Sequence, residues 1–231
     1  MRKNVKFLAV LSAVMVMAAS SAFAQFSFGV KASATLNNIL EEEFDGEDAS
    51  EHSNPMKFGF NAGVFGEYMF SDNMGVAAEL LFAQQGRKDV WKHDNDNKST
   101  YTLTTNNINL PIMFRYYPMR ALSVEIGPQF GFCFGVKDKD VTKVLGNETE
   151  TSTNWGEVED NLQEFDKDFK MWNRFNVGAA VGANYNFDFG LFVGARYTIG
   201  LTDLFYQNED LSDDDVKSKT SVISVSVGYR F

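Results

Sequence analysis

The last dozen residues of the chain alternate without a break. In residues 220–231, one row of positions reads Ile223, Val225, Val227, Tyr229 and Phe231. The intervening row reads Ser224, Ser226, Gly228 and Arg230. Successive side chains on a strand point to opposite faces, so this stretch predicts one oily face and one polar face. The same two-residue period returns seven times upstream. The apolar rows are Phe26 to Ala34, Phe58 to Tyr68, Val76 to Phe82, Ile108 to Tyr116, Val124 to Phe134, Phe175 to Tyr185 and Val193 to Leu201. Counted between the connections that bound them, the segments all reach the roughly 9–11 residues that a tilted strand needs to cross a bilayer. In hydrocarbon every backbone polar group must find a partner within the protein, so strands cross a membrane only as a closed barrel.

The connections support that arrangement. Residues 71–74, 118–120 and 187–190 are short, whereas 37–56, 86–99, 135–170 and 203–218 are long. Tight turns at one end and long loops at the other predict an up-and-down barrel with both termini in the periplasm. The expected fold is all-β: a single transmembrane antiparallel up-and-down barrel of eight strands. Residues 135–170 leave room for an extra hairpin, which would make ten. Aromatic residues cluster at the segment ends. Phe26, Tyr68, Phe70, Tyr116, Tyr117, Phe187, Phe189, Tyr229 and Phe231 are expected at the periplasmic rim. Phe58, Phe82, Tyr101, Phe134, Trp172, Phe175 and Phe205 are expected at the outer rim. Two such belts match the interfacial girdles of membrane barrels.

The first 24 residues read as an address. Arg2, Lys3 and Lys6 precede an uncharged apolar run from Phe7 to Ala19, and Ala22-Phe23-Ala24 offers small residues at the two positions a signal peptidase reads. The run is too short for a spanning helix. Residues 1–24 are therefore expected to be a cleaved signal peptide, and 25–231 one barrel domain placed in the outer membrane.

Charge narrows the partners. The formal net charge is -10, and the acids concentrate in the long connections, where 26 of the 31 lie. Nucleic acid, a polyanion, is excluded by repulsion. Acid-rich connections such as Glu41 to Asp48 and Asp213 to Asp215 lack the fixed spacing of a dedicated calcium loop, so no metal is assigned. The two histidines, His52 and His93, sit in long connections outside any Cys/His cluster, and no nucleophile with a positioned base is recognisable. No enzyme activity and no cofactor are expected. Cys133, the one cysteine, is expected to be a buried thiol within a strand.

Charges also interrupt the polar rows. Lys31, Glu67, Glu79, Arg115, Glu125, Arg196 and Arg230 all fall on the inward side, in the periplasmic half of their segments. Bases come from the first, fourth, seventh and eighth segments, and acids from the second, third and fifth. Buried charges persist only when paired. The expectation is a salt-bridge plug joining Lys31, Arg196 and Arg230 to Glu67 and Glu79, with Arg115 between Glu79 and Glu125. An eight-stranded barrel is just wide enough for side chains to fill it.

Two stretches carry a resemblance. Val-Gly-Tyr229-Arg-Phe231, with its terminal Phe, resembles the signal read by barrel-assembly machinery. Ile108-Asn-Leu-Pro-Ile-Met-Phe-Arg-Tyr-Tyr-Pro118 is similar to the signature strand of the PorT-like outer-membrane β-barrel family of Bacteroidota. That resemblance implies the fold and the location. It implies little about a task, since only a few members are tied to secretion of other proteins. The expected role is structural or interaction-based: acidic loops presented outside a filled lumen by a monomer. Expected partners are outer-membrane lipid, lipopolysaccharide, the assembly machinery and an envelope or extracellular protein. The alternatives are a small outer-membrane channel, an envelope accessory to secretion, and a soluble lipocalin-like barrel with its apolar face turned inward.

Overall fold

The computed structural model describes residues 25–41, 51–94, 97–144, 147–155, 173–203 and 218–231. Residues 1–24, Trp172, Phe205, most of the acidic stretch 41–48 and the acids at 213–215 lie outside the described residues, as do the side chains of His52 and His93.

The described strands are β1 (Phe26–Glu41), β2 (Glu51–Ser53), β3 (Lys57–Ser71), β4 (Met74–Asp94), β5 (Asn97–Met119), β6 (Leu122–Val144), β7 (Asn147–Asn154), β8 (Phe175–Asn186), β9 (Leu191–Gly200) and β10 (Ser218–Arg230). Eight of them close an antiparallel ring in the order β4-β3-β1-β10-β9-β8-β6-β5, with β5 returning to β4. The first and last strands meet from Gly29 opposite Arg230 to Glu41 opposite Ser218. The Phe231 backbone N–H also donates to the Phe28 carbonyl, at 2.8 Å.

Burial follows the two-residue period. Val64, Leu80, Ile112, Ile126, Val181 and Val225 are exposed on the outside, while Lys31, Glu79, Arg115, Glu125 and Arg196 are buried within. An oily exterior around an ionic interior is the inverse of a water-soluble barrel and suits a hydrocarbon surround. The lipocalin-like alternative is thereby corrected.

The long connections need a second correction. Residues 86–99 are strand almost throughout, because β4 runs to Asp94 and β5 begins at Asn97. The expected loops 37–56 and 135–170 likewise begin as strand, in the ends of β1 and β6, and the second contains β7, which pairs with β6. The added hairpin lies beyond the ring and does not widen it. The residues explain the disparity. The outward row of this part of the sheet carries Lys98, Thr102, Lys137 and Lys139, so its strands lack the oily row that marks the ring. Thr100, Tyr101, Thr102, Val136, Val141 and Thr142 are nonetheless β-branched or aromatic, the types that favour strands.

Two irregularities fall where the ring gives way to this extension. Gly86 has φ +142, and a Cβ there would strike the Leu103 carbonyl oxygen. Beside it, β5 and β6 shift register between Asn106 opposite Gly135 and Asn107 opposite Cys133. At the other end, Gly190 with φ +94 completes the tight turn from β8 to β9, where the Phe187 N–H reaches the Leu191 carbonyl at 2.8 Å.

A charge placed on the outward row should be costly in proportion to its depth. Val225→Lys, in mid-strand, is expected to lower stability by about 2–4 kcal/mol, whereas Met119→Lys at the rim should cost about 0–1 kcal/mol. Urea titrations of protein refolded into vesicles would measure both.

Candidate functional site

The lumen is filled in layers, and the ionic layer brings the seven inward charges together. Glu79 on β4 is its centre. The carboxylate accepts from Arg196 at 2.7 and 2.8 Å, from Arg115 at 3.0 Å and from Lys31 at 3.2 Å. Arg115 also donates to Glu125 at 2.9 Å and to Glu67 at 3.3 Å. Arg196 reaches Glu125 at 2.8 Å. Arg230 pairs with Glu67 at 2.8 Å. Of the links read from sequence, Lys31 and Arg196 lie on Glu79 and Arg230 on Glu67. Arg115 joins three acids rather than two, and Arg196 adds a link to Glu125.

Strand pairing dictates this geometry. Arg115 stands directly opposite Glu125 across β5 and β6. Arg196 lies opposite Gly182, which leaves its guanidinium free to cross the lumen. Glu79 is fully buried, and the layer brings four cations to three carboxylates. Each arginine presents a planar fork of donors, which lets it serve two or three acids at once.

Three further contributors escaped the sequence reading. Tyr117 was expected at the periplasmic rim but turns inward. Its hydroxyl donates to Glu67 and accepts from Arg230 at 3.0 Å. Strand parity carried the signal, since Tyr117 shares the face of Arg115. Phe65 and Phe192, both buried, meet edge to face inside the lumen with ring centroids 5.6 Å apart. Phe65 also lies under the Arg115 guanidinium, 5.5 Å from the ring centroid. These rings occupy the polar row of their strands because each faces a glycine, Phe65 opposite Gly29 and Phe192 opposite Gly228. A Cβ on either glycine would collide with the ring.

Above the ionic layer, towards the long connections, the lining becomes neutral. Gln85, Thr105, Asn107, Gln129, Asn176 and Thr198 surround a small cavity of about 20 Å³, room for about one water molecule. Asn37 holds itself across this level by donating to Thr35 at 3.0 Å and to the Lys57 carbonyl at 3.1 Å. Higher still, Ile39, Leu103, Cys133 and Val136 form an apolar cluster with Tyr101 and Trp155 packed against it. Tyr101 therefore faces this cluster instead of forming part of an outward girdle. Cys133 is buried on the inward face, with its Sγ 3.7 Å from the Gly135 carbonyl. Among the described residues, no group of three or more His, Cys, Asp or Glu side chains is arranged to hold a metal ion.

The ionic layer is a network of mutual compensation. Removing one member leaves its partners buried and unbalanced, which typically costs about 3–5 kcal/mol. Glu79→Gln is expected to fall in that range by urea unfolding in vesicles. Adding Lys31→Met to it should recover part of the loss, because one surplus cation goes with it.

Similar proteins were found by family and by structure. No curated protein matches the chain significantly. Among solved structures, Ail, the attachment invasion locus protein of Yersinia pestis, is 12% identical with a TM-score of 0.40, over 90% of this chain and 99% of its own. Neisserial surface protein A is 10% identical with a TM-score of 0.45, over 88% and 97%. The outer membrane protein OprG of Pseudomonas aeruginosa is 14% identical with a TM-score of 0.42, over 89% and 95%. The family described as outer membrane protein beta-barrel domain matches residues 19–206. The chain belongs to that family, and the outer membrane is its location.

Proposed function

We propose that the protein is a plugged outer-membrane barrel whose role is structural or interaction-based. The observation that carries this reading is the buried ionic layer, in which Glu67, Glu79 and Glu125 are bridged by Lys31, Arg115, Arg196 and Arg230 across the lumen. A conducting pore needs charged groups that face water and exchange with ions. Here those groups bind one another and two aromatic rings fill space beside them. No catalytic residue, metal or cofactor enters this reading.

In this reading residues 1–24 direct export and are removed. Tyr229 and Phe231 present the carboxy-terminal signal to the assembly machinery. The short turns lie in the periplasm, and the sheet extension with the acid-rich connections lies outside. Segment Ile108 to Pro118 supports a place in the PorT-like, Bacteroidota branch of the family. The protein acts as a monomer among outer-membrane lipid and lipopolysaccharide, and its outer connections meet an envelope or extracellular protein.

Planar-bilayer recording of the purified protein tests the plug. The expected result is the absence of large, stable currents. A steady conductance would replace this reading with that of a small channel. Glu79→Gln combined with Glu125→Gln is expected to produce intermittent openings, because both acceptors that hold Arg196 across the lumen lose their charge.

A further inference from the structure

The lumen is crossed twice, by barriers of opposite chemistry. The lower is the ionic layer around Glu79. The upper is the cluster of Ile39, Leu103, Cys133 and Val136, none of them more than 4% exposed. Its members come from distant strands. Ile39 lies on β1, Leu103 on β5, and Cys133 and Val136 on β6. In the closed ring β1 stands four strands from β6 in either direction, so a cluster holding both Ile39 and Cys133 reaches across the full width of the barrel. Tyr101 and Trp155 pack against it.

Three strands change character at this level. The inward row of β1 is polar through Lys31, Ser33, Thr35 and Asn37 and turns apolar at Ile39. That of β5, followed upward, passes from Asn109, Asn107 and Thr105 to Leu103. That of β6 passes from Glu125 to Cys133 and Val136. Lipid contact asks nothing of these inward positions. Their shared switch from polar to apolar joins opposite walls at the mouth.

The neutral chamber separates the two barriers. Ile39 borders it beside Asn37, Gln85 and Gly86. A space for about one water molecule is polar enough to be wet, yet too small for an ion with its hydration shell. Ile39 lies eight residues beyond Lys31 on β1, about 26 Å along the strand at 3.3 Å per residue. Sites so far apart that share no partner contribute additively. The chance that both barriers are breached together is then the product of two small chances. They also fail differently. An ionic layer that loses a contact can take up water in its place, whereas an apolar constriction excludes water and closes by staying dry.

We propose that Ile39, Leu103, Cys133 and Val136 form a second seal of the lumen, independent of the ionic layer, which keeps ions out while that layer rearranges. This rests on the reading of the barrel as plugged. The seal also accounts for the intermittent openings expected of E79Q/E125Q: with the ionic layer weakened, the apolar cluster still closes the mouth between openings.

Planar-bilayer recording of the full mature chain compares E79Q/E125Q, I39S/L103S and the variant that combines all four changes. I39S/L103S alone is expected to stay closed, because its ionic layer is intact. Combined with E79Q/E125Q, it should lengthen the openings on the order of tenfold. Combining E79Q/E125Q with I39V/L103M, which keeps the mouth apolar, should leave them as they are in E79Q/E125Q. Equal openings with and without I39S/L103S would overturn the seal and leave the ionic plug standing. Steady current through I39S/L103S alone would overturn the plug and not the seal, and steady current through the unmodified protein would overturn both. Heat-modified gel mobility checks that the variants fold. A measurement on the unmodified protein gives the answer even if they do not. Cys133 is the one cysteine of the chain, so a charged methanethiosulfonate reports on the seal alone. The folded barrel is expected to resist this reagent while urea-unfolded protein reacts fully. Rapid reaction of the folded barrel would overturn the seal.

Discussion

The pairing of β1 with β10 is the constraint on which everything else rests. Without it the sheet would be a curved strip with two edges of unpaired N–H and C=O groups facing hydrocarbon, where each unsatisfied group costs several kcal/mol. With it, both edges vanish together. The ring then defines an inside, and the inside is small enough that side chains decide what fills it. The ionic layer, the two rings and the neutral chamber are consequences of closure.

Closure also explains why such a polar interior is tolerable. Burying an ion pair is often no better than packing apolar groups of the same volume. Here the exterior already takes the apolar residues, since lipid surrounds the wall. The interior can hold charge provided that the charges neutralise one another. Glu79 performs most of that work because it sits where β4 brings it within reach of Lys31, Arg115 and Arg196. The fourth cation, Arg230, is drawn lower by Glu67 and stacks over the Tyr117 ring, 6.0 Å from its centroid.

Strand identity and facing were legible in the sequence because lipid demands an unbroken oily row. Val225 and Ser224 announce their sides without help from neighbours. The seven inward charges were legible by the same parity. The exact partners were less so, since register places Arg115 within reach of Glu67 as well as Glu79 and Glu125. Tyr117 was misplaced because a tyrosine near a strand end also suits an interface, and composition does not distinguish the two. Phe65 and Phe192 depend on the glycines opposite them, a relation between strands that no single segment displays. The extension was hidden because the outward row of its strands carries lysines and threonines in place of oily residues. Their threonines and valines were the remaining signal.

Gly86 on β4 and the register shift between β5 and β6 near Asn106 and Gly135 lie close together in the sheet, while β4 and β5 stay paired in one register from Leu81 to Lys92. A continuous sheet resists bending as a stiff plate does. A bulge relieves that stiffness locally and redirects the strand beyond it. The extra residue falls on β6 alone, so β6 turns there against a partner that runs straight on, and the extension rises past the ring without altering how many strands close it.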